Sequence, residues 1–162
     1  MLFYLKRLNA RVECTMYWMT VSVTLLFIVF VLLGVVSRYL ARSPILGSIE
    51  MSRMFFVWAC FLAASLGYRK QAHISLSFLT GLLPDKIRKA VDLGIDLLCL
   101  IFFLMILSGS LRVTGQLWAT QLPASGYSQG WFYVPVVIAS VTMALFATEQ
   151  LAIKFSPAHR SL

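Results

Sequence analysis

An uncharged stretch of 24 residues, from Cys14 to Ser37, most constrains how this chain can fold. A helix rises about 1.5 Å per residue, so this stretch is long enough to cross the ~30 Å hydrocarbon core of a bilayer. The whole chain suits that solvent, because 60% of its residues are hydrophobic, 12% are charged and its mean hydropathy is +0.85. Soluble domains carry roughly a quarter charged residues. We therefore expect an all-α integral membrane protein.

Further apolar stretches, separated by turn-forming and charged segments, predict three more spans. We expect one membrane domain over residues 1–162, with four transmembrane helices at about 17–39, 48–68, 86–111 and 131–153. Pro84-Asp85 suits the opening of the third helix, because proline is tolerated in a first turn and an acid favours the positive helix end. A cleaved secretory signal is the alternative for the N-terminus, but its apolar core would have only about 7–15 residues.

Two segments outside the spans have an apolar stripe at helical spacing, and we expect each to lie on the membrane surface. They are an amphipathic helix over about residues 2–13 and an interfacial segment over about 73–83. Their basic neighbours favour anionic lipid headgroups. The residues expected to bind headgroups are Lys6, Arg7, Arg11, Arg69, Lys70, Lys86, Arg88 and Lys89.

The distribution of basic residues predicts the orientation. Of the 14 Lys and Arg residues, ten fall in the N-terminal tail, the 69–90 connection and the C-terminal tail. The positive-inside rule then places both termini in the cytoplasm, which four spans permit. The net charge of +8 does not indicate nucleic acid, because the charges lie between apolar stretches rather than on one basic face.

The sequence has no HExxH, GxSxG or P-loop motif and no CxxC pair, so we expect neither an enzyme nor a cofactor in this chain. Haem ligation is disfavoured because His73 and His159 both lie outside the predicted spans. Asp92 and Asp96, four residues apart, could form a cation or proton site. We favour acids stabilised by the start of a helix, and we interpret Glu149, near Lys154, as an interfacial anchor.

A series of short motifs in order resembles one family. The motifs are Arg38-Tyr39, Glu50-Met51-Ser52-Arg53, Phe56-Val57-Trp58, Arg69 with His73-Ile74, Leu83-Pro84, and Trp131, Tyr133 and Pro135. In this order and spacing, over about residues 20–145, they are similar to the small four-helix membrane subunits of tripartite ATP-independent periplasmic (TRAP) transporters. Ser75 departs from the pattern, because the family often has Val-Asp after the His-Ile pair.

The resemblance implies a non-catalytic subunit of the bacterial inner membrane that forms a heterodimer with a large polytopic subunit. The large subunit would carry the substrate and sodium sites, and a periplasmic binding protein would deliver an organic acid such as sialic acid or a C4-dicarboxylate. The small subunit would be a scaffold for the moving transport domain. The residues expected at the large subunit or binding protein are Arg38, Arg42, Glu50, Arg53 and Trp58. Glu50 and Arg53 would pair with each other or with the large subunit. The alternative function is a small homo-oligomeric exporter that uses Asp96.

Overall fold

The computed structural model describes residues 2–39, 46–71 and 85–155. Within these residues the chain forms four long helices, with a short 3-10 helix directly before the last. They are α1 (Leu2–Tyr39), α2 (Leu46–Gln71), α3 (Asp85–Leu117), the 3-10 helix (Gln129–Phe132) and α4 (Val134–Phe155). Each long helix is apolar enough and long enough to cross a membrane. The prediction of four membrane-spanning helices is confirmed.

The first helix is continuous from Leu2 to Tyr39, and its 38 residues correspond to a length of about 57 Å. Residues 2–13 therefore continue the first span without a break, and the location of this segment on the membrane surface stays a prediction. No glycine or proline occurs between residues 2 and 33 to interrupt the helix. The extension also packs on the bundle, since Asn9 and Met16 are buried. The interfacial segment expected over 73–83 lies outside the described residues.

The packing of the four helices places α4 at the centre of the bundle. Helix α1 packs mainly on α2, α3 packs mainly on α4, and α2 joins the two pairs through α4. Helix α4 is accordingly the most buried span, whereas the span of α1 is the most exposed. We call the end where α1 begins and α4 finishes the terminal end, and the opposite end, where α3 is joined to α4, the loop end.

The α3–α4 connection is shorter and more ordered than the sequence predicts. Helix α3 continues to Leu117, so only residues 118–128 form the loop that precedes the 3-10 helix. Backbone hydrogen bonds fold this loop back on itself, from Leu122 N–H to Tyr127 C=O (2.8 Å) and from Gln129 N–H to Thr120 C=O (2.8 Å). Gly126 has a φ of 72°, a left-handed conformation that glycine adopts without strain. The loop is thus a tight, hairpin-like cap at the loop end.

Candidate functional site: polar clusters at both ends of the bundle

Four polar side chains from three helices meet at the terminal end, and we call them the arginine cluster: Asn9, Glu13, Arg69 and Glu149. The Arg69 guanidinium lies 2.6 Å from Glu13 through Nε and 3.2 Å from Glu149 through Nη1. Asn9 donates to the same Glu149 oxygen at 2.6 Å. Arg69 therefore joins α1 to α4 from its position near the end of α2.

The surroundings of this cluster make its pairing energetically important. Asn9 is fully buried and Glu149 is 8% exposed. The Arg69 guanidinium also lies over the Phe146 ring, 4.8 Å from its centroid, which adds a cation–π contact. A charge left unpaired in such a site costs several kcal/mol. Among the described members of the cluster, two carboxylates share one guanidinium.

This arrangement bears on two interpretations drawn from the sequence. Arg69 was expected to bind lipid headgroups, but its guanidinium is taken up by two carboxylates and a ring inside the bundle. Glu149 was expected to be an interfacial anchor; it lies near the end of α4, where it is buried and bound by Asn9 and Arg69. Sequence spacing could have indicated the site, because Asn9 and Glu13 lie four residues apart and so share one face of a helix.

At the loop end, Glu50 binds the α3–α4 loop. Its carboxylate accepts hydrogen bonds from the Ala124 N–H (3.1 Å), the Ser125 N–H (2.8 Å) and the Ser125 hydroxyl (2.6 Å). These donors come from a segment 75 residues away in sequence. Glu50 was expected to pair with Arg53 or with a partner subunit; within this chain its hydrogen bonds go to the loop, and the partner contact stays a prediction. Its role is to hold the loop against the start of α2.

Three tryptophan side chains pack against one another at the loop end. The Trp58 N–H donates to the Trp131 carbonyl at 2.9 Å, and these two rings lie 6.3 Å apart. The Trp118 ring lies 5.8 Å from that of Trp131. Gly130 makes this packing possible, because a Cβ there would stand 2.6 Å from Trp118 Cε3. Trp58, expected at a partner or in lipid, therefore uses its polar atom inside the chain.

The other predicted site residues remain at the surface or lie outside the described part of the chain. Arg38 and Arg53, both at the loop end, are exposed, as are Arg7, Arg11 and Lys70 at the terminal end. The structure does not describe Arg42 or the side chains of Lys6, Lys86, Arg88 and Lys89. For these surface residues, the predicted contacts with partner proteins and lipid headgroups stay predictions.

Asp96 has a different environment from the helix-end acid that the sequence suggests. It lies about three turns into α3 and is 2% exposed. Asp92, whose side chain is not described, belongs to the preceding turn. The burial of Asp96 on the α2-facing side, near Tyr68 and Cys99, makes it part of the packing between helices.

Four helices of membrane-spanning length define a polytopic membrane protein. Hydrogen bonds and ion pairs between polar side chains connect the helices at both ends of the bundle. The chain belongs to the DctQ component family of tripartite ATP-independent periplasmic transporters, whose family model matches residues 27–156. This match confirms the family resemblance. It begins beyond Asn9 and Glu13, so the α1 half of the arginine cluster precedes the matched region.

Matches to individual proteins are consistent with this family assignment. The chain is 32% identical to a putative TRAP transporter small permease protein of Haemophilus influenzae, over 81% of each chain. It is 26% identical to the sialic acid TRAP transporter permease protein SiaT of that species, over 75% of this chain but only 20% of SiaT. A match to the C4-dicarboxylate small permease protein DctQ of Vibrio cholerae is 33% identical, over 48% of this chain and 33% of that protein.

Proposed function

We propose that the chain is the scaffold subunit of a sodium-driven, binding-protein-dependent transporter of an organic acid. Its membership of the DctQ component family carries the proposal. The names of its relatives point to sialic acid or a C4-dicarboxylate as the substrate. Substrate and sodium would bind to a large permease subunit, and a periplasmic protein would deliver the acid. We place the complex in the bacterial inner membrane with both termini in the cytoplasm.

The construction of the bundle supports a static role. Arg69 ties three helices together at the terminal end, and Glu50 ties the α3–α4 loop to α2 at the loop end. Both ties would have to break for the helices to move far relative to one another. A moving transport domain needs such a fixed body to work against. The alternative, an exporter using Asp96, receives no support from the comparisons.

The exposed face of α1 is the docking surface that we propose for the large subunit. Leu25, Val29, Leu32 and Val36 recur at heptad-like spacing, and each is about half exposed. This spacing matches the seam by which one helix packs along another. The span of α1 is also the least covered in the bundle. A membrane helix of the partner would complete its packing.

The loop end supplies the surface for the periplasmic protein in this proposal. Arg38 and Arg53 are exposed there, beside a loop that Glu50 fixes in one conformation. A preordered loop with nearby cations suits an acidic partner, because little conformational entropy is lost on binding. Arg42 would add a third positive charge. At the terminal end, Arg7, Arg11 and Lys70 would contact headgroups.

The test is to purify the tagged chain in mild detergent after expression with the large permease protein from the same organism. Stoichiometric co-purification, with sodium-dependent uptake of sialic acid or a C4-dicarboxylate after reconstitution with the binding protein, is the expected result. Recovery of the chain alone or as a homo-oligomer would refute the scaffold role.

A docking variant makes the test specific. We expect Leu25→Ala with Leu32→Ala to reduce recovery of the large subunit, because both changes remove apolar contact from the α1 face. The matched control is Leu98→Ala with Met105→Ala, which truncates two residues of α3 that are somewhat more exposed than Leu25 and Leu32. Equal recovery with both pairs would exclude α1 as the docking face.

A further inference from the structure

A groove between α1 and α2 at the terminal end combines two opposite charges with an apolar wall. We call it the terminal groove; it has a volume of about 250 Å³. Its lining residues are Ala10, Glu13, Cys14, Tyr17, Leu66 and Lys70. A cavity of this size accommodates a headgroup together with the first part of an acyl chain rather than a whole lipid.

The position of the groove along the helices places it at a membrane boundary. Glu13 directly precedes the uncharged stretch of α1, and Lys70 lies at the end of the span of α2. Tyr17 is 53% exposed, and its ring meets that of the exposed Trp18 edge-on at 5.9 Å. Exposed Tyr and Trp residues at a span end are typical of the interfacial belt. The polar part of the groove is thus level with headgroups and its apolar part with acyl chains.

The carboxylate in the groove is held in place by Arg69 and shares the groove with the ammonium group of Lys70. Arg69 binds Glu13 through one oxygen, at 2.6 Å, while it also binds Glu149. One guanidinium therefore balances two carboxylates. A carboxylate offers about four acceptor positions, so Glu13 can accept further hydrogen bonds from a donor in the groove. A ligand with both a cationic donor and an anionic group is favoured, because the groove offers the carboxylate of Glu13 and the ammonium group of Lys70.

We propose that the terminal groove binds a zwitterionic phospholipid with a primary ammonium headgroup, of the phosphatidylethanolamine type. Lys70 contacts the lipid phosphate, and Glu13 accepts hydrogen bonds from the lipid ammonium group. The acyl chain lies along Tyr17 and Leu66. Phosphatidylglycerol offers the phosphate without the cation, and Glu13 repels its net charge. Phosphatidylcholine offers a cation without N–H donors.

The proposal predicts a ranking that can be measured by native mass spectrometry. The purified full chain is delipidated and titrated with phosphatidylethanolamine, its N-methylated forms, phosphatidylcholine and phosphatidylglycerol, all with the same acyl chains. We expect the first lipid adduct to form about fivefold more tightly with phosphatidylethanolamine than with phosphatidylglycerol or phosphatidylcholine, as an interfacial ion pair allows. Stepwise N-methylation should weaken binding progressively. Equal affinities, or a preference for phosphatidylglycerol, would overturn the proposal.

Two variants separate the contacts. Lys70→Gln should weaken phosphatidylethanolamine binding about fivefold, whereas Arg112→Gln, the same loss of charge at an exposed position near the loop end, should not change it. Glu13→Gln should abolish the preference over phosphatidylglycerol. Because that change also breaks a bridge to Arg69, its melting temperature is measured in parallel. If Glu13→Gln does not fold, the N-methylated lipids test the same contact on the unaltered chain. Unchanged binding by Lys70→Gln would refute the phosphate contact.

Discussion

Replacing Arg69 with methionine should cause a large loss of stability, because it breaks the ties between three helices. The substitution keeps an unbranched side chain of similar length but removes the only guanidinium that bridges Glu13 and Glu149. Glu149, which is 8% exposed, then retains only the hydrogen bond from Asn9 among these contacts. Breaking a buried ion pair from one side costs about 3–5 kcal/mol.

That free energy corresponds to a large shift in thermal stability. At roughly 2–4 °C per kcal/mol for a chain of this size, the melting temperature of Arg69→Met should fall by roughly 6–20 °C. The assay is thermal unfolding of the detergent-purified chain, followed by circular dichroism or by the reactivity of Cys99, which is half-buried. Arg53→Met, the same change at an exposed arginine, should leave the melting temperature within about 1 °C.

The double variant tests the cause. If the cost of Arg69→Met comes from an orphaned carboxylate, then adding Glu149→Leu should restore part of the lost stability, because a buried ion pair can be replaced by apolar groups at little cost. Arg69→Lys should give an intermediate loss, since one ammonium group cannot reproduce a planar fork shared between two carboxylates. A melting temperature for Arg69→Met equal to that of the unaltered chain would refute this reasoning. Additive losses in the double variant would show that the two residues are not coupled.

Three further predictions concern the loop end. Gly130→Ala should lower stability by about 1–3 kcal/mol, because the new Cβ overlaps the neighbouring indole, whereas Gly115→Ala, which has open space within α3, should be neutral or stabilise by up to about 1 kcal/mol through its higher helix propensity; thermal unfolding compares them, and equal melting temperatures would contradict the packing described. Glu50→Gln should speed amide exchange and proteolysis in the 118–128 loop, since a neutral amide offers one weaker acceptor to three donors; Arg53→Gln serves as the control, and equal exchange rates would argue against the clamp. Trp58→Phe should cost about 0.5–1.5 kcal/mol through loss of one hydrogen bond, measured by chemical unfolding; a change below about 0.2 kcal/mol would indicate that water replaces the bond.

The number and type of helices could be predicted from the sequence because their signal is local. Length and hydropathy alone identify a membrane-spanning helix, and the four spans agree with the structure. The continuity of α1 was missed for a physical reason. Leucine spacing over residues 2–13 fits a surface helix, and only the positions of Arg69 and Glu149 on other helices show that Asn9 and Glu13 face inward.

The partners of the polar residues could not be predicted in the same way. Glu50 and Arg53 lie three apart, which suggests a local ion pair, but the backbone N–H groups of Ala124 and Ser125 compete successfully for the carboxylate. Any backbone N–H outside the regular hydrogen bonds of a helix can serve as a donor, and the sequence does not indicate which one does. Which polar groups pair over long distances in the sequence depends on which helices are neighbours in the bundle, and hydropathy does not predict that arrangement.

The distance along the chain between the members of the arginine cluster has a consequence for synthesis. Arg69 and Glu149 are 80 residues apart, and Asn9 and Glu149 are 140 apart. At about 5–20 residues per second, Arg69 leaves the ribosome roughly 4–16 s before Glu149. During that interval α1 and α2 can insert with Glu13 as their one bridging acid, and the cluster closes only when the last helix arrives. A nascent chain truncated before α4 would therefore lack the acid that Arg69 and Asn9 share, and its first two helices would be joined at this end only through Glu13 and Arg69.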